Sequence, residues 1–132
     1  MKAPALPKNA KHTEFFAKLF EMRDSAHLRH LKPNNAGQLG SGWQHSALNS
    51  FYDEILDKAD SLIESYQGKY GLVDINIGAS KPLANPAEDI KKFAQMIESS
   101  IYDSFTETWI QNQLDSITEL CYSTVYKLEN LK

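Results

Sequence analysis

The chain has 132 residues, enough for one domain with its own hydrophobic core, and 42% hydrophobic with 23% charged residues is ordinary globular composition. A net charge of −3 gives no global basic field toward nucleic acid or anionic lipid, so nucleic acid is not an expected partner. One cysteine, Cys121, excludes an intramolecular disulfide and any multi-cysteine metal knot; with no apolar run near ~18 residues and no signal-peptide core, a cytoplasmic protein without a membrane span is expected.

The opening "MKAPALPKNAK" carries three lysines and no acid, and residues 1–12 read as a flexible N-terminal segment ahead of a single domain at 13–132. Thr13 is placed to cap a first helix that runs to about Lys32, where Pro33 and "NNAGQLGSG" end it. On a wheel of 100° per residue, Phe15, Phe16, Leu19, Phe20 and Ala26 share one broad face. A second helix starts at about Gly42 or Trp43 and stops at Gln67, with Gly68 as its C-terminal signal. Its seam is Leu48, Phe51, Tyr52, Ile55, Ala59, Leu62 and Tyr66.

From Gly68 to Pro86 the composition shifts to glycine and proline, with a brief β-like run at Leu72 to Ile77. Extended at ~3.3 Å per residue, this stretch spans a helix of ~25 residues, which is the connection a bundle with one long crossover requires. Asn85 and Pro86 form a cap and first-turn pair for a third helix carrying Ile90, Phe93, Ala94, Ile97 and Ile101. Ser104 and Glu107 have capping-box spacing before a fourth helix that carries Ile110, Leu114, Ile117, Cys121, Val125 and Leu128. The expected fold is all-α: a four-helix bundle with a long crossover between helices 2 and 3.

The polar residues point to a site. With Leu48 at zero, His45 falls at about 60°, Asn49 at about 100°, Asp60 at about 120° and Glu64 at about 160°, so Asp60 and Glu64 are neighbours on a face turned away from the core. Asp53 and Asp57 share that face. His30 lies near 20° from Leu19, inside the apolar arc of the first helix, with His27 at about 80° on its flank. If the first two helices pack antiparallel, His30 and His45 approach each other at their turn. Alone, each feature has a bland reading: a histidine satisfied in the core, or a solvated acidic face. Together, imidazoles and carboxylates suit iron, zinc or manganese, and the wheel lets them meet only between subunits.

In these residues the chain resembles the Dps-like branch of the ferritin-like superfamily, and most closely the small Dps-like proteins of tailed phages. The resemblance covers about Phe16 to Gly68. It rests on the pair His27 and His30, on His45 opening the second helix, and on Asp60 with Glu64 deeper in that helix. It implies a metal site made of His27, His30, His45, Asp60 and Glu64 across a two-fold axis, iron as the metal, and oxidation of Fe(II) by peroxide or dioxygen. It also implies a homodimer or larger homo-oligomer and, for a phage protein, the host cytoplasm. The sequence departs from the family pattern at Asn49, where an aspartate is usual, at Leu31, where an aromatic is usual, and in a longer turn, "KPNNAGQLGSGWQ". The lysine-rich tail of some relatives is sketched only by Lys2, Lys8 and Lys11. The alternative is a non-catalytic bundle of the same fold acting as an interaction or assembly module for a host or phage protein. Trp43, Trp109, Cys121 and the pair Asp115 and Glu119 read as packing or solvated residues.

Overall fold

The computed structural model describes residues 9–32 and 41–131. Four long helices carry the chain: α1 (Ala10–Leu31), α2 (Ser41–Tyr70), α3 (Pro86–Met96) and α4 (Thr108–Asn130). A π-helical turn, Ile97–Ile101, and a 3-10 turn, Tyr102–Ser104, link α3 toward α4. Among the described residues there is no strand, and no helix is long and apolar enough to cross a membrane.

Helix α1 begins four residues earlier than a cap at Thr13 would place it. The cap is Asn9, whose Oδ1 accepts the Lys11 N–H at 2.9 Å, while Thr13 lies inside the helix and donates back to the Ala10 carbonyl. Ala10, Lys11 and His12, read from sequence as part of the N-terminal segment, are thus the first residues of α1. The expected end of α1 agrees with the structure, and the turn from Pro33 to Gly40 lies outside the described residues.

Helix α2 continues past Gly68. Its stop is Gly71, with φ +92° and its N–H on the Gln67 carbonyl at 2.8 Å. A left-handed residue of this kind ends a helix at little cost only when it lacks a Cβ.

Cross-helix contacts give the directions. His12 meets Tyr66 and His30 meets His45, so α1 and α2 are antiparallel. Lys69 pairs with Glu107 and the Lys58 Nζ donates to the Ser116 Oγ at 2.7 Å, so α2 and α4 are antiparallel too. His12 meets Ser104, Phe15 meets Phe93, and Leu83 meets Ser25, so α3 runs against α1. Helices α2 and α3 therefore point the same way, and residues 71–85 must travel the bundle length between them.

That crossing lies along α1. The Gly78 N–H donates to a Glu21 carboxylate oxygen at 3.0 Å, the Ser80 hydroxyl to the Glu21 carbonyl, and the Leu83 N–H to the Ser25 carbonyl at 3.3 Å. Val73 and Ile75 are half-buried and Leu83 is buried, while the β-like run acquires no strand partner among the described residues.

The core holds Phe15, Phe16 and Leu19 of α1, Leu48, Phe51, Ile55 and Leu62 of α2, Ile90 and Ile97 beyond the crossing, and Ile110 and Leu114 of α4. Every predicted seam residue is buried or half-buried. Asn85 caps α3 and Pro86 opens its first turn, as expected; the Asn85 side chain makes no capping bond, and its N–H donates to the Asp89 carboxylate at 3.0 Å. Ser104 and Glu107 form no capping box, because Glu107 is itself the cap residue of α4 and its carboxylate is taken by Lys69 and Tyr70. Trp43 and Trp109, expected to pack, are 52% and 42% exposed.

Gly68 and Gly71 separate helix from stop. A Cβ at Gly68 meets nothing within 4 Å, so Gly68→Ala is expected to raise stability by about 0.5–1 kcal/mol, whereas Gly71→Ala should lower it by about 1 kcal/mol. Urea unfolding of the two variants checks the opposite signs.

Candidate functional site

The last turn of α1 and the first turns of α2 hold a reciprocal pair of histidines. The His30 Nδ1–H donates to the His45 carbonyl at 2.9 Å, and the His45 Nδ1–H donates to the His30 carbonyl at 3.1 Å. A carbonyl oxygen only accepts, so both Nδ1 atoms carry protons, and each neutral ring keeps its lone pair on Nε2. The rings stack with centroids 3.6 Å apart and planes 23° from parallel. One of the unpaired carbonyls at the end of α1 is thereby capped from α2.

Around this clasp the expected neighbours assemble. His27 stacks on Tyr52 with centroids 4.4 Å apart and lies 6.3 Å from the His30 ring. Tyr52 also meets His30 edge-on and takes the Arg23 guanidinium at 5.6 Å from its centroid. The Tyr52 hydroxyl donates to Asn49 Oδ1 at 2.8 Å. Asn49, read from sequence as a weak ligand, thus has its acceptor oxygen directed at a phenol. His45 is exposed, His27 and His30 are half-buried, and Leu28, Leu31 and Trp43 are exposed apolar residues on the same stretches of α1 and α2.

Asp60 and Glu64 are exposed on α2 along with Asp53 and Asp57. They lie about 22 Å and 28 Å along the helix from His45, by ~1.5 Å per residue. The chain does not bring them to its own histidines, and among the described residues no three His, Cys, Asp or Glu side chains gather around a common point. The stacked imidazoles share a second limit: a cation in the plane of one ring lies out of the plane of the other. Each Nε2 therefore offers one good bond and leaves the rest of a coordination shell to groups from elsewhere.

A second polar cluster, at the opposite end of the bundle, was not read from the sequence. His12 is 8% exposed; its Nε2–H donates to the Ser104 carbonyl at 3.0 Å, and its Nδ1 accepts from the Tyr66 hydroxyl at 3.1 Å. Its ring stacks on Phe105 at 3.7 Å. Beside it, the buried Glu107 accepts from Lys69 at 2.7 Å and from the Tyr70 hydroxyl. Burial pushes the Glu107 carboxyl up, but the Lys69 and Tyr70 hydrogen bonds with its own backbone N–H outweigh it and hold it down at about 2. The hydrogen bond to Glu107 raises both Tyr70 and Lys69 above their usual ranges. The signals were present in Tyr66 and Tyr70, one helical turn apart, and in His12, four residues before Phe16; placing the helix start at Thr13 hid them. Cys121 is buried, and burial pushes its thiol up to about 12, as suits an inert core residue.

The sequence profile of a family of unknown function (DUF5856) matches residues 43–128. The chain belongs to that family. No curated protein and no solved structure matches it. The span shared with DUF5856 opens two residues before His45 and contains Asp60, Glu64, Tyr66, Lys69, Tyr70 and Glu107, whereas His12, His27 and His30 of α1 precede it.

Two outcomes test these clusters. His30→Ala and His45→Ala each remove one bond of the clasp and should cost about 1–2 kcal/mol, with a double-mutant coupling near 1 kcal/mol by urea unfolding. For Glu107, a carboxyl held below its ordinary 4.5 stabilises the fold above that value and loses its contribution as pH falls toward 2. With Lys69 about half exposed, screening trims the effect to about 1–2 kcal/mol, and Glu107→Gln should flatten the wild-type loss of stability across that window.

Proposed function

We propose that this chain is a Dps-like bundle of the ferritin type that binds a divalent transition cation between two copies of itself. His30 and His45 of one copy supply imidazole Nε2 atoms, with His27 beside them, and Asp60 and Glu64 of the other supply carboxylates. The observation that carries the reading is the pair of Nδ1–H bonds to backbone carbonyls. Metal-ligating histidines are commonly oriented by such bonds, which fix the tautomer and leave Nε2 aimed outward. The bundle direction supports it too, since a full-length crossing between parallel helices is the connection of ferritin-like bundles.

Mixed imidazole and carboxylate donors favour iron, zinc or manganese over calcium or magnesium. Iron in its ferrous form would be a substrate or cargo held between copies, with dioxygen or peroxide as oxidant, and the chain's part would be to fix geometry and supply negative charge. Asn49 lowers that charge by one relative to the family pattern, so the reading commits to binding ahead of turnover.

A second reading has its own observation. Leu28, Leu31 and Trp43, on the same stretches of α1 and α2 as the clasp, are large exposed apolar side chains that a solvated metal site does not require. They favour the same bundle used as an interaction module, with the histidines as a helix-end clasp.

Anaerobic Fe(II) titration of metal-free protein, followed by calorimetry and sedimentation, tests the first reading. Saturable binding should appear in a self-associated preparation and weaken about tenfold or more in His30→Ala and in Asp60→Asn with Glu64→Gln; Asn49→Asp should strengthen it. Absence of saturable binding in a dimeric sample leaves the interaction module, which should keep its association in the His30→Ala, Glu64→Gln double variant.

A further inference from the structure

His12 takes no part in the site described above, yet three elements meet at its ring. Its Nε2–H donates to the Ser104 carbonyl before α4, its Nδ1 accepts from Tyr66 of α2, and Phe105 covers one face. We propose that His12 is an acid-operated latch: its neutral imidazole pins the first turns of α1 to α2 and to the start of α4, and protonation undocks those turns while the rest of the bundle stays folded.

The geometry specifies the neutral form. Ser104 offers a carbonyl, so Nε2 holds the single ring proton, and Nδ1 must accept the phenol proton of Tyr66. A second proton on Nδ1 would face that phenol and force Tyr66 to give up its donor role. The groups facing the ring do not cancel this. Glu107 favours the cation, but its charge is already shared with Lys69 and Tyr70; Lys11, on the same helix, disfavours it. Burial, the largest influence, lowers His12 from its ordinary 6.5. Tyr66, raised chiefly by burial and then by Tyr70, stays neutral throughout this range. A base lowered by folding stabilises the docked form above 6.5 and loses that contribution as pH falls below it.

The opening is local because the neighbouring anchors respond elsewhere. Asn9, Ala10 and Lys11 are exposed, and the first turn is held by His12 and by the Asn9 backbone at the Tyr66 hydroxyl, both within this cluster, whereas Phe15 and Phe16 are buried a turn later. The start of α4 is kept by Glu107, whose carboxyl remains ionised down to about 2. Between those two ranges the His12 contact is lost while the Glu107 bonds at the start of α4 persist. Undocking uncovers the Phe105 and Tyr66 rings at this end of the bundle.

Amide hydrogen exchange of the full chain between pH 7.5 and 5.0, corrected for intrinsic rates, reads the latch directly. Protection of Thr13 to Ala17 should fall about fivefold or more, while Ile110 to Val125 of α4 changes little. His12→Gln, which can still donate toward Ser104 but does not titrate in this range, should remove the pH dependence. Tyr66→Phe takes away the partner of neutral Nδ1, so protection at neutral pH should drop and its further fall on acidification should shrink. An identical pH profile in His12→Gln, or protection falling evenly across all four helices, overturns the proposal. If His12→Gln does not fold, a fall in protection on acidification that is as large in Tyr66→Phe as in the wild type overturns it as well.

Discussion

The antiparallel seam between α1 and α2 is the contact on which the other features depend. Phe15, Phe16, Leu19 and Ala26 of α1 and Phe51, Ile55 and Leu62 of α2 are buried along it, and a polar fastening closes each end: His12 with Tyr66 at one, His30 with His45 at the other. Close-packed apolar contacts supply adhesion without direction. The hydrogen-bonded histidines supply register, because a slip of one residue would break both bonds of the clasp and bury an unpaired imidazole at His12. With that seam set, the opposite face of α2 is turned outward, and its carboxylates are left to solvent or to another molecule.

The seam also explains the connection. Once α2 packs against α1 and α4, and α3 packs antiparallel to α4 as α2 does, α2 and α3 are parallel and no short turn can join them. The crossing has few backbone partners of its own and is held by α1 at Glu21 and Ser25, with Leu83 buried where it reaches the start of α3. Its glycines and prolines serve a path over a helix surface, not a hairpin.

What the sequence made legible follows from periodicity, and what it concealed follows from tertiary competition for polar groups. The apolar seams, the outward acids, the crossing and the meeting of His30 with His45 depend only on helical spacing and antiparallel packing, and each was readable. The start of α1 was misplaced because both Asn9 and Thr13 are good caps and only backbone geometry chooses between them. By sequence alone Gly68 has the position of a stop for α2, yet a glycine ends a helix only where φ turns positive, which happens at Gly71. The capping box at Ser104 and Glu107 failed for a different reason: Lys69 and Tyr70, distant in sequence, claim the carboxylate that local rules assign to a backbone N–H. The His12 cluster joins three elements, so its local signals, Tyr66 with Tyr70 and His12 one turn before Phe16, connect only once the helices pack.

The contrast between the two faces of α2 bears on what the protein is for. Its inner face satisfies every rule of a stable bundle. Its outer face sets Asp53 against Asp57 and Asp60 against Glu64 at one-turn spacing, all exposed, and none in an ion pair among the described residues. Each such like-charge pair costs a helix about 0.2–0.5 kcal/mol. The same stripe lies well into α2, where negative charge gains nothing from the N-terminal end of the helix dipole. A local rule broken with no compensation inside the fold is where a function outside the fold is expected. A cation held jointly with the imidazoles of a second copy would relieve that repulsion at Asp60 and Glu64, and a basic surface on another protein would relieve it along the whole stripe. The two differ in which residues feel the relief, so the physical content of the choice lies in whether Asp53 and Asp57 respond together with Asp60 and Glu64 or apart from them.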